Sequence, residues 1–325
     1  MSNLREIAAL AGVSVATASR ALKGQAGLAE ATRARIVQLA AELGYDVARL
    51  RKSAVRRVCF LLHRQHSTLV ANPFFSAVLQ GVETACQDAG VVLTFLSIGP
   101  TDPLTELLAL HQPDALLCAG YFEPEVLQRL SQRDLPMLLL DAWQQGVASV
   151  NPDHRQGGWL ATRHLLQQGR KVAFLSGSLA HYSIRERAMG YRQALFDAGM
   201  LANPAWEPVL PAGVTVEDAV WQVSHQLLDQ PQPPDAIFAY NDAAALLLLQ
   251  VARQRGLRVP QDLAIVGFDD IAAASLAHPA LSTVRVDKLR LGQRAVALLL
   301  QDEGMQQEVH PVTLVVRASS SEAGQ

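Results

Sequence analysis

From Val58 onward the chain repeats one pattern, a short apolar run followed by a stretch with helical periodicity. The runs and stretches are Val58 to Leu62, Ser76 to Ala89, Val91 to Leu96, Leu104 to His111 and Ala115 to Cys118. The pattern continues at Met137 to Asp141, restarts at Val172 to Leu175, and recurs at Ala236 to Tyr240 and Leu263 to Val266. Strands that alternate with helices imply a parallel sheet. There are about twice as many such strands as one compact sheet holds, so the pattern predicts an α/β body of two linked lobes, each with its own parallel sheet.

Open α/β sheets bind ligands beyond the carboxyl ends of their strands, which singles out the polar residues there. Asp141, Asn241 with Asp242, and Asp269 with Asp270 each end an apolar run, and Arg187 lies at the start of a helix after the run Val172 to Leu175. Carboxylates, an amide and a guanidinium converging on a cleft suit a polyhydroxylated ligand, with aromatic rings covering its apolar face. Any one Asp or Asn after a strand is as readily a helix cap or turn former, and Asp242 and Asp270 are read as structural. His63, His66 and His181 show no metal-ligand spacing and are specificity contacts at most. Trp143 and Trp159 are read as core, and no metal or cofactor is expected.

Residues 1–57 are of another kind. They carry ten basic side chains against four acidic ones, a surplus of six, while the remainder carries a deficit of eight and brings the net to −2. Apolar positions recur at helical spacing in three blocks, Leu4 to Ala11, Val15 to Leu22 and Ala31 to Leu43. Gly12 ends the first block and Ser14 is a natural N-cap for the second, so Gly12-Val13-Ser14 has the length of a helix-turn-helix corner. A second helix lying in a major groove would bring Val15 and Ala16 to base edges and Arg20 to guanine or phosphate, with Thr17 and Ser19 on phosphates. Val15 and Ala16 have no side-chain hydrogen-bonding group, which leaves thymine methyls and shape to them and bidentate reading to Arg20. A plain three-helix bundle fits the periodicity as well.

Three well-spaced cysteines, Cys59, Cys86 and Cys118, form no Cys-x-x-Cys and fit reduced thiols in a cytoplasm. The stretch Ala8 to Ala18 lacks the leucine-dense core of an export signal, and no apolar run approaches the roughly 20 residues of a membrane span. A catalytic reading calls for a nucleophile or cofactor signature, and the sequence has no nucleophile elbow, dinucleotide fingerprint, P-loop or zinc helix; a hydrolase acting on a nucleoside or sugar in a polar cleft is the remote alternative.

The run Leu4-Arg-Glu-Ile-Ala-Ala-Leu-Ala-Gly-Val-Ser-Val-Ala-Thr-Ala-Ser-Arg-Ala-Leu22, with Ala31-Thr-Arg-Ala-Arg-Ile36 and Leu43-Gly-Tyr45, resembles the head of the lactose-repressor/galactose-repressor family. The resemblance continues through Asn72-Pro-Phe-Phe75, Val150-Asn-Pro-Asp153, Arg187-Ala-Met-Gly-Tyr191, Gly267-Phe-Asp-Asp270 and Pro279-Ala-Leu-Ser-Thr-Val284. It implies a helix-turn-helix DNA-binding domain over 1–45, a linker or hinge over 46–57, and a two-lobed effector-binding and dimerisation domain over 58–325 that is similar to periplasmic binding proteins. It also implies that Leu50 inserts into the minor groove and that Phe75, Asp141, Arg187, Asn241 and Asp269 bind the effector. The sequence departs from the family in the shortened, arginine-rich linker after Tyr45, in Ala29 where a serine commonly caps the third helix, and in Val286 and Lys288 where glutamine or an aromatic residue is frequent.

The expectation is a cytoplasmic, homodimeric, non-enzymatic repressor on double-stranded operator DNA, induced by a small sugar. A purine or another metabolite is the alternative signal.

Overall fold

The computed structural model describes residues 4–22, 28–43, 45, 55–64, 73–301 and 306–321. They fall into two compact units, Met1–Val55 and Arg56–Gln325.

The first unit holds α1 (Leu4–Ala11), α2 (Val15–Leu22) and α3 (Glu30–Glu42). Ile7, Ala8, Ala11, Ala18, Ala21, Leu22, Ile36 and Ala40 pack into one small core, drawn from all three helices. Gly12, at φ +70°, closes α1, and the Val13 N–H donates to the Ala8 carbonyl at 3.0 Å, which satisfies an end carbonyl that the helix leaves free. The Ser14 hydroxyl accepts from the Thr17 N–H at 3.1 Å, so the corner read from the sequence is capped as expected. Helix α3 starts at Ala29 without a side-chain cap, and Glu30 in its first turn supplies the favourable negative charge instead.

In the second unit a six-stranded, all-parallel sheet contains β1 (Arg57–His63), β2 (Val92–Ile98), β3 (Ala115–Ala119), β4 (Met137–Leu140), β5 (Ala148–Pro152) and β10 (Gln307–His310), in the order β10-β5-β4-β3-β1-β2. A second sheet contains β6 (Val172–Leu175), β7 (Ala236–Ala239), β8 (Ala264–Asp269), β9 (Ser282–Arg285) and β11 (Thr313–Val315), in the order β11-β9-β8-β7-β6, with β11 antiparallel. The central strands are apolar without alternation, and β3 and β8 are buried at every position, as helix-covered strands must be. The chain passes between the sheets three times, after β5, after β9 and after β10. Four strands, β5, β9, β10 and β11, escape the sequence reading, because polar residues break their apolar runs, as in Ser282–Arg285 and Gln307–His310, and an Asn-Pro pair interrupts β5.

Each lobe is closed by one helix pair in backbone contact through glycine. In the first lobe α4 (Pro73–Asp88) meets α12 (Lys288–Gln301), and a Cβ on Gly81 would sit 2.1 Å from the Leu289 carbonyl oxygen. In the second, α7 (His154–Leu166) meets α8 (Tyr182–Asp197), and a Cβ on Gly158 would sit 2.3 Å from the Arg187 carbonyl oxygen.

Helix α10 (Asp242–Gln254) begins with a wholly buried carboxyl, which binds two other segments of the second lobe. Asp242 Oδ1 meets the Thr283 hydroxyl at 2.5 Å and Oδ2 accepts from the Ile271 N–H at 2.9 Å, so its reading as structural is correct. Burial, and then the neighbouring Asp269 carboxyl, push its pKa up to about 8 against the two hydrogen bonds.

Two outcomes are expected. Gly81→Ala gains roughly 1 kcal/mol of helix propensity but forces α4 off α12, at a cost of about 1–3 kcal/mol or more; a lower urea midpoint checks this. The folded state holds a proton on Asp242 that the unfolded chain releases above about pH 4, so this group lowers stability as pH rises to about 8. Asp242→Asn keeps the acceptor for Ile271 and offers a donor to Thr283, so its stability relative to the unsubstituted protein should rise from about pH 4 to about pH 8 and level off above. Parallel urea-midpoint profiles would refute the raised carboxyl.

Candidate functional site

In the first unit, Ala18, Ala21 and Leu22 bury one face of α2. At about 100° per residue, positions 16 and 20 fall on the opposite face and position 19 on the flank between. Val15 and Arg20 are exposed. Thr17 is half-buried and its hydroxyl lies 2.8 Å from that of Ser14, leaving it capacity for further bonds. The side chains of Ala16 and Ser19, and Leu50 with most of the linker, lie outside the described residues.

In the second unit, the polar residues picked from strand ends converge in part. Asp141 follows β4 with φ 56°, and Asp269 ends β8 with φ 112°, both in the left-handed region that a side chain other than glycine's rarely adopts. Such backbone strain concentrates at functional sites. Arg187, in the second turn of α8 and 4% exposed, donates from Nη1 to the Tyr240 carbonyl at 2.5 Å, from Nη2 to Asp269 Oδ1 at 3.4 Å and from Nε to His154 Nδ1 at 3.3 Å. Its guanidinium carbon lies 3.7 Å from the centre of the Phe268 ring.

His154, the first residue of α7, completes the group. Its Nδ1 accepts from Arg187, so Nε2 carries the ring proton, and Nε2 stands 2.9 Å from Asp141 Oδ1. The contact falls short of hydrogen-bond geometry, and both atoms are buried with no other polar partner. Burial above all, and then the Arg187 charge, lower the histidine pKa against the pull of Asp141, which keeps the ring neutral. Burial, reinforced by Asp141, raises the pKa of Asp269 to about 6 against Arg187 and Lys288.

Asn241 caps α10, its side-chain oxygen accepting from the Ala244 N–H at 2.9 Å, and adjoins the group through the carbonyl of its neighbour Tyr240. Phe75 is buried on α4 with its ring over Gly120, directly after β3, and edge-on to Phe74. Lys288 donates to the carbonyls of Asp269, Asp270 and Val286, so this departure from the family pattern holds a loop together. Asp270 pairs with Arg285 and Arg317 and is structural, as read.

Aromatic rings of the two lobes meet beside the group. Tyr121 stacks on His181 at 4.5 Å and Trp143 faces Tyr182 at 6.3 Å. Trp143 is exposed, which corrects its reading as core, and Trp159 is only partly buried, donating to Asp197 at 2.8 Å under the Arg163 guanidinium. His63 is buried 3.2 Å from Glu123, and His66 lies outside the described residues. Sequence reasoning missed His154. The rule that found Asp141 and Asp269 would have found it too, had Ala148–Pro152 been recognised as a strand.

Acceptors exceed free donors in this group, aromatic faces adjoin it, and the serine nearest a nucleophile-like motif, Ser176, donates to the Gly177 carbonyl at 2.9 Å. The arrangement is built to bind. Among the described residues no group of His, Cys, Asp and Glu could hold a metal ion, and no helix is long and apolar enough to cross a membrane.

The family of bacterial regulatory proteins of the lacI type matches residues 3–47, and the periplasmic binding protein-like domain matches residues 162–320. The HTH-type transcriptional repressor PurR of Haemophilus influenzae (strain PittEE) is 32% identical, over 94% of this chain and 94% of its own. The ribose operon repressor of Haemophilus influenzae (strain ATCC 51907 / DSM 11121 / KW20 / Rd) is 32% identical, over 93% of this chain and 92% of its own. Among solved structures, a complex of the transcriptional regulator CelR with cellobiose superposes with a TM-score of 0.75 at 28% identity, covering 98% of this chain and all of that one (100%). The lac repressor dimer bound to operator and the anti-inducer ONPF shares the fold with a TM-score of 0.71 at 24% identity, covering 98% and 99%. The capped helix-turn-helix, the two parallel-sheet lobes and these matches agree: the chain belongs to the lacI family of bacterial regulatory proteins, and is a cytoplasmic, non-enzymatic, DNA-binding transcriptional regulator with a periplasmic-binding-protein-like domain.

Proposed function

We propose that the protein is a homodimeric repressor whose two heads read a near-palindromic operator and release it when a small neutral sugar binds between the lobes. Residues 1–45 form the DNA-binding domain, 46–57 the linker, and 58–325 the effector-binding and dimerisation domain. Val15, Ala16 and Arg20 read bases, Thr17 and Ser19 hold phosphates, and Leu50 enters the minor groove. Phe75, Asp141, Arg187, Asn241 and Asp269 bind the effector.

The observation that carries the effector class is the buried group at Asp141, Arg187 and Asp269. Its one guanidinium is already committed to Asp269, His154 and a carbonyl, so the carboxylates outweigh the cation that a phosphate would need. Acceptor-rich surface beside aromatic rings favours hydroxyl-bearing ligands, and the likeness to a cellobiose-bound regulator and to a ribose operon repressor supports the same class. A purine is the second reading, favoured by the PurR relatives and by aromatic rings beside the group on which a flat base can stack.

A thermal-shift screen of the full chain against monosaccharides, short oligosaccharides, sugar phosphates and purines decides between them, because a selective ligand raises the melting temperature by mass action. A neutral sugar should be the class that shifts it; a purine alone would reverse the assignment. Arg187→Ala should abolish that shift and leave operator binding intact. Arg20→Ala should weaken specific operator binding by about 1–3 kcal/mol while changing non-specific binding far less, which titrations on operator and random duplexes at fixed salt measure.

A further inference from the structure

The Asp141–His154 contact has a geometry that a structural ion pair does not need. His154 Nε2 and Asp141 Oδ1 approach to 2.9 Å, yet the contact falls short of hydrogen-bond geometry, and both atoms are buried with no other polar partner. Leaving a buried donor and acceptor unmet costs roughly 1–3 kcal/mol for each group, and native structures rarely keep two such atoms side by side without a use. The histidine cannot relieve the strain by turning, since its Nδ1 is engaged by Arg187 Nε at 3.3 Å. Its ring is wedged between Phe268 and Tyr182, whose centroids lie 5.9 and 6.0 Å away.

The two atoms also belong to different lobes. Asp141 follows β4 of the first sheet, whereas His154 begins α7, which packs on α8 and on strands of the second. A pair that spans a hinged cleft widens when the lobes part, while the second-lobe donor stays fixed by Arg187.

We infer that His154 is an effector-contacting, specificity-determining residue, and that its Nε2–H and Asp141 Oδ1 form a donor–acceptor pair for one hydroxyl of a neutral ligand. The hydroxyl oxygen accepts from Nε2–H and its proton is donated to Oδ1, so one ligand group satisfies both orphaned atoms. An ether or a deoxy carbon at that position leaves them unmet, and a carboxylate or phosphate meets Asp141 with like charge. His154 thus selects a hydroxyl where a tyrosine or an aliphatic residue would select bulk. This rests on the reading that the cleft between the lobes takes the effector.

The test is calorimetric titration of the full chain with cellobiose, D-ribose, the monodeoxy analogues of whichever sugar binds, and adenine. His154→Phe keeps an aromatic ring of similar width without nitrogens, and His154→Gln keeps a side-chain N–H. A single cooperative urea transition and intact operator binding certify that each variant is folded, even where the loss of the Arg187 contact lowers the midpoint. The expected result is a loss on the order of 10- to 100-fold for His154→Phe and substantial recovery for His154→Gln. One monodeoxy sugar should lose as much with the unsubstituted protein and nothing further with His154→Phe.

Unchanged affinity in a folded His154→Phe, or equal losses across all deoxy analogues, overturns the inference while leaving the sugar reading intact. Binding of adenine alone overturns the sugar reading and the hydroxyl partner with it. Binding of none of the probes counts against both.

Discussion

Arg187 is the group around which the second lobe is organised. Burying a guanidinium is costly unless its charge and its donors are met. Here they are met from three separate elements: His154 at the start of α7, the Tyr240 carbonyl after β7, and Asp269 at the end of β8, with the Phe268 ring beneath. Shifting any of these elements by one residue would strand a buried cation. The backbone beneath Arg187 is equally constrained, because the bare face of Gly158 lets α7 lie against the Arg187 carbonyl, and Gly157 leaves room for Phe268, whose ring a Cβ there would approach to 2.5 Å. Two adjacent glycines on one helix therefore set both the height of the arginine and the position of the ring it rests on.

That rigidity gives the site its chemical character. With Arg187 committed inside the lobe, it acts as a fixed positive floor and orients Asp269 and His154 more than it offers donors of its own. Asp269 is held at φ 112° and its pKa is raised by burial to about 6. The strain and the desolvation are both borne by the surrounding strands, whose burial is complete along β8. Asp242, one strand end away, is buried still more deeply and bonds Thr283 and Ile271, which separates the roles of two neighbouring acids by environment alone.

Much of this was legible in the sequence, and the reasons are local. The apolar runs of β1, β3, β6 and β7 could only be helix-covered parallel strands, and Gly12 with Ser14 fixed the corner of the head because each meets a helix end that needs it. Asp141, Arg187 and Asp269 were reached by the strand-end rule, and the structure brings them together. Asn241 was reached by the same rule, but its side-chain oxygen caps a helix, and no sequence pattern separates a cap from a ligand contact. His154 was not reached, because Ala148–Pro152 contains Asn and Pro and reads as a turn; its Val150, Asn151 and Pro152 lie in register with β10, a strand more than 150 residues further along. Pairing over that separation leaves no local trace. Trp143 failed for the opposite reason: a large apolar side chain suggests core, yet here it stands exposed beside Tyr182 of the other lobe.

The three passages between the sheets determine what ligand binding can transmit. Rigid lobes joined by short connections have one soft motion, opening and closing about those connections, and a ligand shifts that equilibrium only by the difference between its affinities for the two arrangements. A parting of the lobes would break the contacts made across them, Tyr121 with His181, Trp143 with Tyr182 and Asp141 with His154. They therefore set the resting balance against which an effector works. A ligand whose hydroxyl takes over the Asp141–His154 pair replaces a poorly aligned contact with two aligned hydrogen bonds, and so gains most where the lobes are spaced to admit it. On this argument the sign of regulation is decided less by how tightly the effector binds than by the lobe spacing at which that one pair is best satisfied.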